Sequence, residues 1–471
     1  MKIQLTTIDK LLVALIAVVV VVVFFIKISK KTVQDAMAGV IGRQLVFSHS
    51  WQNEEAQTVL RKLADDFEAQ LNGDENGKLT IVLRDYPADY VETMLTTPST
   101  EDGDKKKRDF LTSDIFIFNS HILYEAVQNG WLASLADYLR ADDLQTETRE
   151  EEWAIPLTSD IYMLFYNIDA LTSPGFDRPP KNWDEFKKYA RILSSPGKYG
   201  LTLSLNADDD YPDVYPWLWV TGALMMKDGS PNLGDAAISN TLQFFADLNQ
   251  DGVIAPGSFH KTKRQKIKEF TENKAAMMIG SIEDIETVRQ KMYESSFGVS
   301  TIPVPDKFSG KPIFGLMTTF AGIGARSALQ EEAWAFLSFL LEHSSDIAAA
   351  VRALPGNGNT PVPAKESPSL AKVYDMFESS DTVEELSGMP NARSLAQIFC
   401  TETASMLDES QSQARIKREE LRAAESEPAI ITRSIDSITA ESARKTVASI
   451  QRQWEGVLSK LDPQNNPNTV E

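Results

Sequence analysis

The sequence predicts an α/β protein built of lobes that exchange chain several times. Three observations carry that expectation. At 471 residues the chain exceeds what one core of ordinary size can serve, so two or three lobes are expected. Short apolar strands alternate with amphipathic helices from residue 44 to beyond residue 300, the pattern of a parallel sheet covered by helices on both faces. No Pro-, Gly- or Ser-rich linker divides that stretch, which argues for lobes joined by several crossings over lobes strung like beads.

The first segment with a clear physical demand precedes the sheet. Leu11 to Ile26 reads LLVALIAVVVVVVFFI, with no polar residue and with Lys10, Lys27, Lys30 and Lys31 at its flanks. Such a run belongs in a membrane, and snorkelling lysines together with Ile8 and Ile28 bring it to the length of a span. The nearest cleavage pattern, Ala36-Met37-Ala38, lies behind the polar KISKKTVQD, and no cysteine follows that could carry a lipid. Residues 8–28 are therefore expected to remain as a single-pass anchor, with a cleaved signal as the alternative, and 29–43 to act as a linker.

Gln44 to Phe47 reads as the first strand, and Ala56, Leu60, Leu63, Phe67 and Leu71 then share one helical face. KLTIVL (78–83) and SDIFIFNS (113–120) supply the second and third strands. Ligands of such sheets collect beyond the carboxyl ends of the strands, here Ser48 to Trp51 and Asn119 to His121. Strand formers recur from Ile161 to Tyr166. Asn182 with Glu185 three residues on marks a helix start. Tyr211, Tyr215, Trp217 and Trp219 crowd a stretch broken by Pro212 and Pro216.

Further on, a polar helix ending near Phe270 leads into the strand AAMMI, a turn at Gly280-Ser281, a helix from about Glu283 and the strand FGVSTIPVP. Small Ala275 and Ala276 suit close sheet packing, and Gly280 would let backbone amides approach a ligand. An amphipathic helix covers 331–343. The tail from about 403 to 450 reads as solvated helices, with ARKTVASIQRQWEGVL amphipathic enough to pack down.

Charge and composition exclude several functions. The chain holds 67 acidic against 47 basic residues, a net charge of −20, and so repels phosphate backbones; nucleic acid is a poor partner. Cys400 is the only cysteine, which rules out an intrachain disulfide and a thiolate cluster. His49, His121, His260 and His343 fall in no metal-ligand spacing. DLNQDG (247–252) opens like a calcium loop, but Ser258 stands where the bidentate Glu is needed, and a helix ending at a Gly turn explains the same letters. LPGNGNTPVP (354–363) lacks the lysine of a phosphate loop, and EDGDKKKRD (101–109) reads as a solvated loop. No metal or cofactor is expected.

Taken in order, LVFSHSWQNEEAQTVLRKLADDFEA, SDIFIFNSHILYEAVQNGWLASLADYL, IPLTSDIYMLFYNIDAL, NWDEFKKYARIL, FTENKAAMMIGS, FGVSTIPVP and GIGARSALQEEAWAFLSFLLEH resemble the extracellular solute-binding proteins of ABC importers, in the sugar-binding class that includes maltose-binding protein. The resemblance implies a type II periplasmic-binding-protein fold: two lobes, a ligand cleft between them, and a hinge of three crossings near residues 157, 300 and 345. It divides the chain into an N-terminal lobe (44–157 and 301–345) and a C-terminal lobe (158–300 and 346–471). Carried over position by position, it puts Ser48, Ser50 and Trp51 at the cleft from the first strand end, and Phe118, Asn119 and Ser120 from the third. Asp160 stands where the family often grips sugar hydroxyls. From the second lobe come Tyr211 or Trp219, Gly280, Ser281 and Glu283.

The function so implied is capture of a sugar or polyol by a monomer and its delivery to ABC permease subunits, without covalent chemistry. The globular part would lie on the periplasmic or extracellular side of the cell membrane. The anchor and the charged stretch DESQSQARIKREELRAAESEPAIITRS depart from the family's pattern. Two other readings remain: a receptor signalling to a sensor kinase or chemoreceptor, favoured mildly by the anchor, and an anchored glycan-active enzyme. The enzyme would need paired carboxylates about 5–10 Å apart, and the strand tips offer Ser48, Ser50 and Asn119 instead.

Overall fold

A computed structural model describes residues 43–71, 79–87, 111–141, 152–206, 212–227, 229–258, 260–356 and 367–461. The expected anchor, nearly all of the linker, and Tyr211 lie outside the described residues. The chain runs β1 (Arg43–His49), α1 (Glu54–Leu71), β2 (Leu79–Asp85), β3 (Ile115–Asn119), α2 (Leu123–Gln128), α3 (Ala136–Ala141) and β4 (Ile155–Asn167). It continues through α4 (Ile168–Thr172), α5 (Trp183–Leu193), β5 (Tyr199–Thr202), α6 (Tyr215–Trp219), the hairpin of β6 (Met226–Lys227) and β7 (Ser230–Pro231), and α7 (Ala236–Gln250). Next come α8 (Lys263–Thr271), β8 (Ala275–Ser281), α9 (Ile282–Arg289), β9 (Phe297–Ser300), β10 (Ile313–Ile323), α10 (Gln330–Glu342) and α11 (Ser344–Val351). The last elements are β11 (Leu354–Pro355), α12 (Pro368–Glu378), β12 (Asp381–Val383), α13 (Ala392–Ala423) and α14 (Pro428–Leu458).

One sheet runs β2-β1-β3-β10-β4-β8-β5. β1 lies parallel to β2 and β3, as the βα pattern predicts. The sheet as a whole is mixed, because β10 is antiparallel to both β3 and β4. The reason is topological: β4 carries the chain from one half of the molecule to the other, and β10 returns beside it.

Core residues sort into the two halves. Leu45, Phe47, Leu60, Phe67, Ile117, Phe336 and Leu340 form one core, to which β4 gives Ile155 and Leu157 and β10 gives Ala321 and Ile323. A second core gathers Trp217, Trp219, Phe244, Phe399 and Trp454, and receives Tyr162 and Leu164 from the far end of β4. Ile161, Met163 and Phe165 point the other way, into a third cluster with Phe270, Phe297 and Phe314. Alternate residues of β4 are thus buried on both faces, which is why the strand reads as a nearly continuous apolar run.

Local signals match the helices they were read from. Asn182 Oδ1 accepts the Glu185 N–H at 2.9 Å and caps α5, while the Glu185 carboxylate turns to Arg178. The DLNQDG letters close α7 and turn at Gly252, whose φ of +66° is a left-handed value, and Lys187 and Arg191 hold Asp247 and Asp251. Two expectations are corrected. β8 runs through Ser281 directly into α9, with no turn at Gly280. The tail is solvated for only part of its length: Leu395, Phe399, Met406 and Leu407 of α13 pack with Ala443, Val447, Ile450 and Trp454 of α14, and Trp454 Nε1 donates to the Leu395 carbonyl at 3.0 Å. The hairpin end from Arg415 to Arg433 stands largely exposed.

Candidate functional site

The period of a strand builds the floor of a cavity of about 900 Å³. Thr158, Asp160 and Tyr162 alternate along β4 and line it from one face. Their partners across the sheet continue that face. Thr158 pairs with Thr319, which pairs in turn with Asn119; Asp160 pairs with Met317, and Tyr162 with Ser281. Each of these residues lines the cavity. A row of hydroxyl and amide groups from three strands therefore lies beside a carboxylate and one phenol ring.

The walls come from helix ends. Ser50, Trp51, Gln52 and Asn53 lead from β1 into α1, where Asn53 Oδ1 accepts the Ala56 N–H at 2.6 Å. Thr262, Lys263 and Arg264 open α8 behind a capping box with Gln265, and Glu283, Asp284 and Thr287 belong to α9. Val351, Arg352 and Ala353 end α11, with Arg352 in left-handed conformation at φ +59°.

Electrostatics centre on Asp160. Its Oδ1 accepts the N–H groups of Ile161 at 2.8 Å and Ile282 at 2.9 Å. Burial pushes its carboxyl up to about 7, against the pull of the Ile282 amide and Lys263, and with Glu283 adding to the rise. Asp284 accepts the Ser281 N–H at 2.9 Å and lies 3.3 Å from Lys263, which is also 3.6 Å from Glu283.

Of the residues expected at a cleft, Ser50, Trp51, Asn119, Asp160, Ser281 and Glu283 stand on this one cavity. The others do not. Ser48 faces inward and shares a hydrogen bond with Ser113 at 2.6 Å. Phe118, one residue from Asn119, must point to the opposite face of β3, where it stacks near Phe320. Ser120 is buried at the start of a 3₁₀ turn. Trp219 is in the second core, its ring against Gly315 and its Nε1 donating to Glu385 at 2.7 Å. Gly280 serves packing, since a Cβ there would come within 2.8 Å of the Phe165 ring.

Sequence reading missed Lys263, Arg264, Thr158, Met317, Thr319, Lys291 and Arg352. One signal was available for the first two: Thr262 and Gln265 spell a capping box, which fixes the start of α8 and so the helix end that carries Lys263. Among the described residues no cluster of ligating side chains suits a metal ion, and no helix is long and apolar enough to cross a membrane.

Comparison with known proteins places this architecture. A binding protein of Brucella abortus (strain 2308) is 23% identical over 281 residues, which cover 57% of this chain and 66% of that protein, so the chain spans just under two thirds of the length of the curated relatives it matches. The cyclic α-maltosyl-1,6-maltose binding protein of Arthrobacter globiformis superposes with a TM-score of 0.62 at 18% identity, covering 88% of this chain and all of that one. Maltose-bound MalE3 of T. maritima gives 0.61 at 15% identity over 88% and 99%. An ABC transporter solute-binding protein of Agrobacterium vitis S4 with bound D-mannitol gives 0.56 at 16% identity over 89% and 99%. At these identities the likeness is one of fold: two lobes of the periplasmic-binding-protein type. The model of the bacterial extracellular solute-binding proteins, a family of binders and not of enzymes, matches residues 62–393, and the chain belongs to that family.

Proposed function

We propose that the protein is a membrane-tethered receptor that captures a carbohydrate or polyol between its lobes and hands it to the membrane subunits of an ABC importer. The observation that carries this reading is the cavity of about 900 Å³ lined at once by the β1–α1 and β3 ends, by the α8 and α9 starts, and by the two crossing strands. That size lies within the range of small-molecule sites. The hydroxyl and amide row of Thr158, Thr319 and Asn119 suits a polyhydroxy guest, with Trp51 and Tyr162 offering ring faces to its C–H groups. The neighbours' names, with maltose, a cyclic maltosyl sugar and mannitol among them, support the same class.

Closure of the lobes is a population shift, so the guest must gain contacts on both walls that the separated lobes cannot give. Core membership supports crossings inside β4, inside β10 and near Arg352. Phe314 packs in the third cluster and Ile347 in the first, which argues for moving the expected boundaries from 301 into β10 and from 345 to the end of α11. The apolar run Leu11 to Ile26 is the proposed tether, with the globular part outside the cytoplasm, where it raises the receptor's local concentration at the importer.

The test is a thermal-unfolding screen of the full-length chain in detergent against sugars and polyols. A guest present at 100 times its Kd adds ~2.7 kcal/mol to the folded state and raises Tm. A screen in which no mono- or oligosaccharide or sugar alcohol raises Tm sinks the carbohydrate reading, and turnover of a bound sugar sinks the receptor reading.

A further inference from the structure

The charge of the guest can be read from the cavity wall. We infer that the cavity takes an anionic carbohydrate, one carrying a phosphate or a carboxylate, whose charged group is held by Arg264, Lys291 and Arg352. The inference rests on the proposal that this cavity is the solute site.

Two acids of the wall are engaged, Asp160 by two backbone amides and Asp284 by the Ser281 amide and by Lys263 at 3.3 Å, while Glu283, 70% exposed, meets Lys263 at 3.6 Å in a pair open to water. Lys263 is thereby committed. Arg264 and Lys291 line the same cavity and have no acidic partner within ion-pair distance among the described residues. Among the described residues Arg352 reaches only Glu55, at 3.6 Å, with side chains 41% and 61% exposed, and a pair so open to water contributes little. These three cations come from three separate elements, α8, the residues just after α9, and the end of α11, yet they meet at one cavity.

Two further observations point the same way. α1, α8 and α9, of 18, 9 and 8 residues, all begin at the cavity, so the positive ends of three helix dipoles reach it, with Asn53, Thr262 and Asp160 each capping one N–H of their first turns. Arg352 occupies the left-handed position at the end of a helix, where glycine is the usual residue, and the strain of that backbone is kept with a guanidinium on the wall. A chain of net charge −20 that opens spare cations and helix N-termini into one cavity has reversed its sign locally. A neutral sugar would leave those cations unpaired when the lobes close around it, at a cost that an anionic guest removes.

The experiment is calorimetric titration of the full-length chain in detergent with matched guests: glucose, glucose 6-phosphate and glucuronate, with inorganic phosphate as control, at low and high salt. The expected result is an anionic sugar that binds about tenfold or more tighter than glucose, with the preference shrinking at high salt. The phosphate and carboxylate arms tell which group is recognised. In the Arg264→Gln/Lys291→Gln variant the ratio is expected to fall toward one. Glucose binding as tightly as both its anionic counterparts overturns this inference while leaving the receptor proposal standing. A charge preference that survives the double variant overturns the assignment of Arg264 and Lys291. Absence of binding by every sugar, charged or neutral, overturns this inference together with the proposal beneath it. Inorganic phosphate binding as tightly as glucose 6-phosphate overturns the carbohydrate half of the inference.

Discussion

The Oδ1 of Asp160 accepts the backbone N–H of Ile282 at 2.9 Å, so a carboxylate on the crossing strand β4 closes the first turn of α9. The contact joins residues 122 positions apart in sequence and ties the sheet to the helix that supplies Glu283 and Asp284 to the cavity. Asp160 therefore serves two purposes at once, a structural cap and a polar wall, and its titration should be visible in both stability and binding.

The sign follows from its carboxyl being raised to about 7 by burial. Between an unfolded pKa near ~3.9 and about 7, the native chain keeps a proton that the unfolded chain has released. The contribution of Asp160 to stability therefore falls as pH rises through that window and is level above it. Its size is at most about 4 kcal/mol, less whatever cavity water screens. Asp160→Asn retains the acceptor oxygen and removes the titration. Urea unfolding of parent and variant from pH 4.5 to 8 should show the parent losing stability relative to the variant as pH rises. Glu384, also raised to about 7 by burial, is common to both and cancels in the difference. A difference independent of pH would contradict the assignment.

Trp51 and Trp219 should part company. Trp51 is half-buried on the cavity wall, so Trp51→Ala removes a ring face and should weaken carbohydrate binding about tenfold by calorimetry. Trp219 is fully buried away from the cavity, so Trp219→Phe should leave affinity unchanged while costing about 1–3 kcal/mol in urea unfolding, because the Glu385 carboxylate loses its indole donor. The reverse pattern would show that the wrong ring had been assigned to the wall.

The contrast between those two tryptophans shows what the sequence can and cannot reveal. Trp51 follows a strand end, and position after a strand end is a topological signal that survives without coordinates. Trp219 had only aromatic density to recommend it, and density is equally the mark of a core. The same limit applies to Phe118: the strand end was legible, but alternation sends Asn119 to the cavity and Phe118 away, and that parity needed one fixed neighbour, the Thr319 pairing, to set it. Lys291 and Arg352 were invisible for another reason. Each stands just past a helix, and only the packing of β4 and β10 brings those ends together. The βα order, the α5 cap and the α7 stop, by contrast, rest on local propensity and came through with little change.

Glu385 should prove the strongest single polar contributor to the second core. It accepts hydrogen bonds from Trp219 Nε1 and from the backbone N–H groups of Met225 and Met226, and burial pushes its carboxyl up. Glu385→Ala would strand three buried donors and should lower unfolding stability by about 3–5 kcal/mol. Glu385→Gln keeps one acceptor oxygen for them and should recover at least half of the loss. Equal losses for both variants would mean that the carboxylate's charge, and not its acceptor capacity, holds the site.

The buried pair of Lys266 and Asp213 allows a sharper separation of charge from packing. Lys266 Nζ donates to Asp213 Oδ1 at 2.6 Å with the side chains only 2% and 1% exposed, and Asp213 Oδ2 accepts the Ser204 N–H, also at 2.6 Å. Lys266→Met leaves a carboxylate without its counter-ion in an apolar setting and should cost about 3–5 kcal/mol. Asp213→Asn in the Lys266→Met background removes the charge yet keeps an acceptor for Ser204, so the double variant should be more stable than Lys266→Met alone. Asp213 in that single variant should also bind a proton to escape its isolation, which makes the cost of Lys266→Met shrink as pH falls from 7 to 5. Unfolding curves for parent, single and double variants across that range decide it: a double variant no better than the single at pH 7 would show that the pair's value lies in its shape and not in its charge.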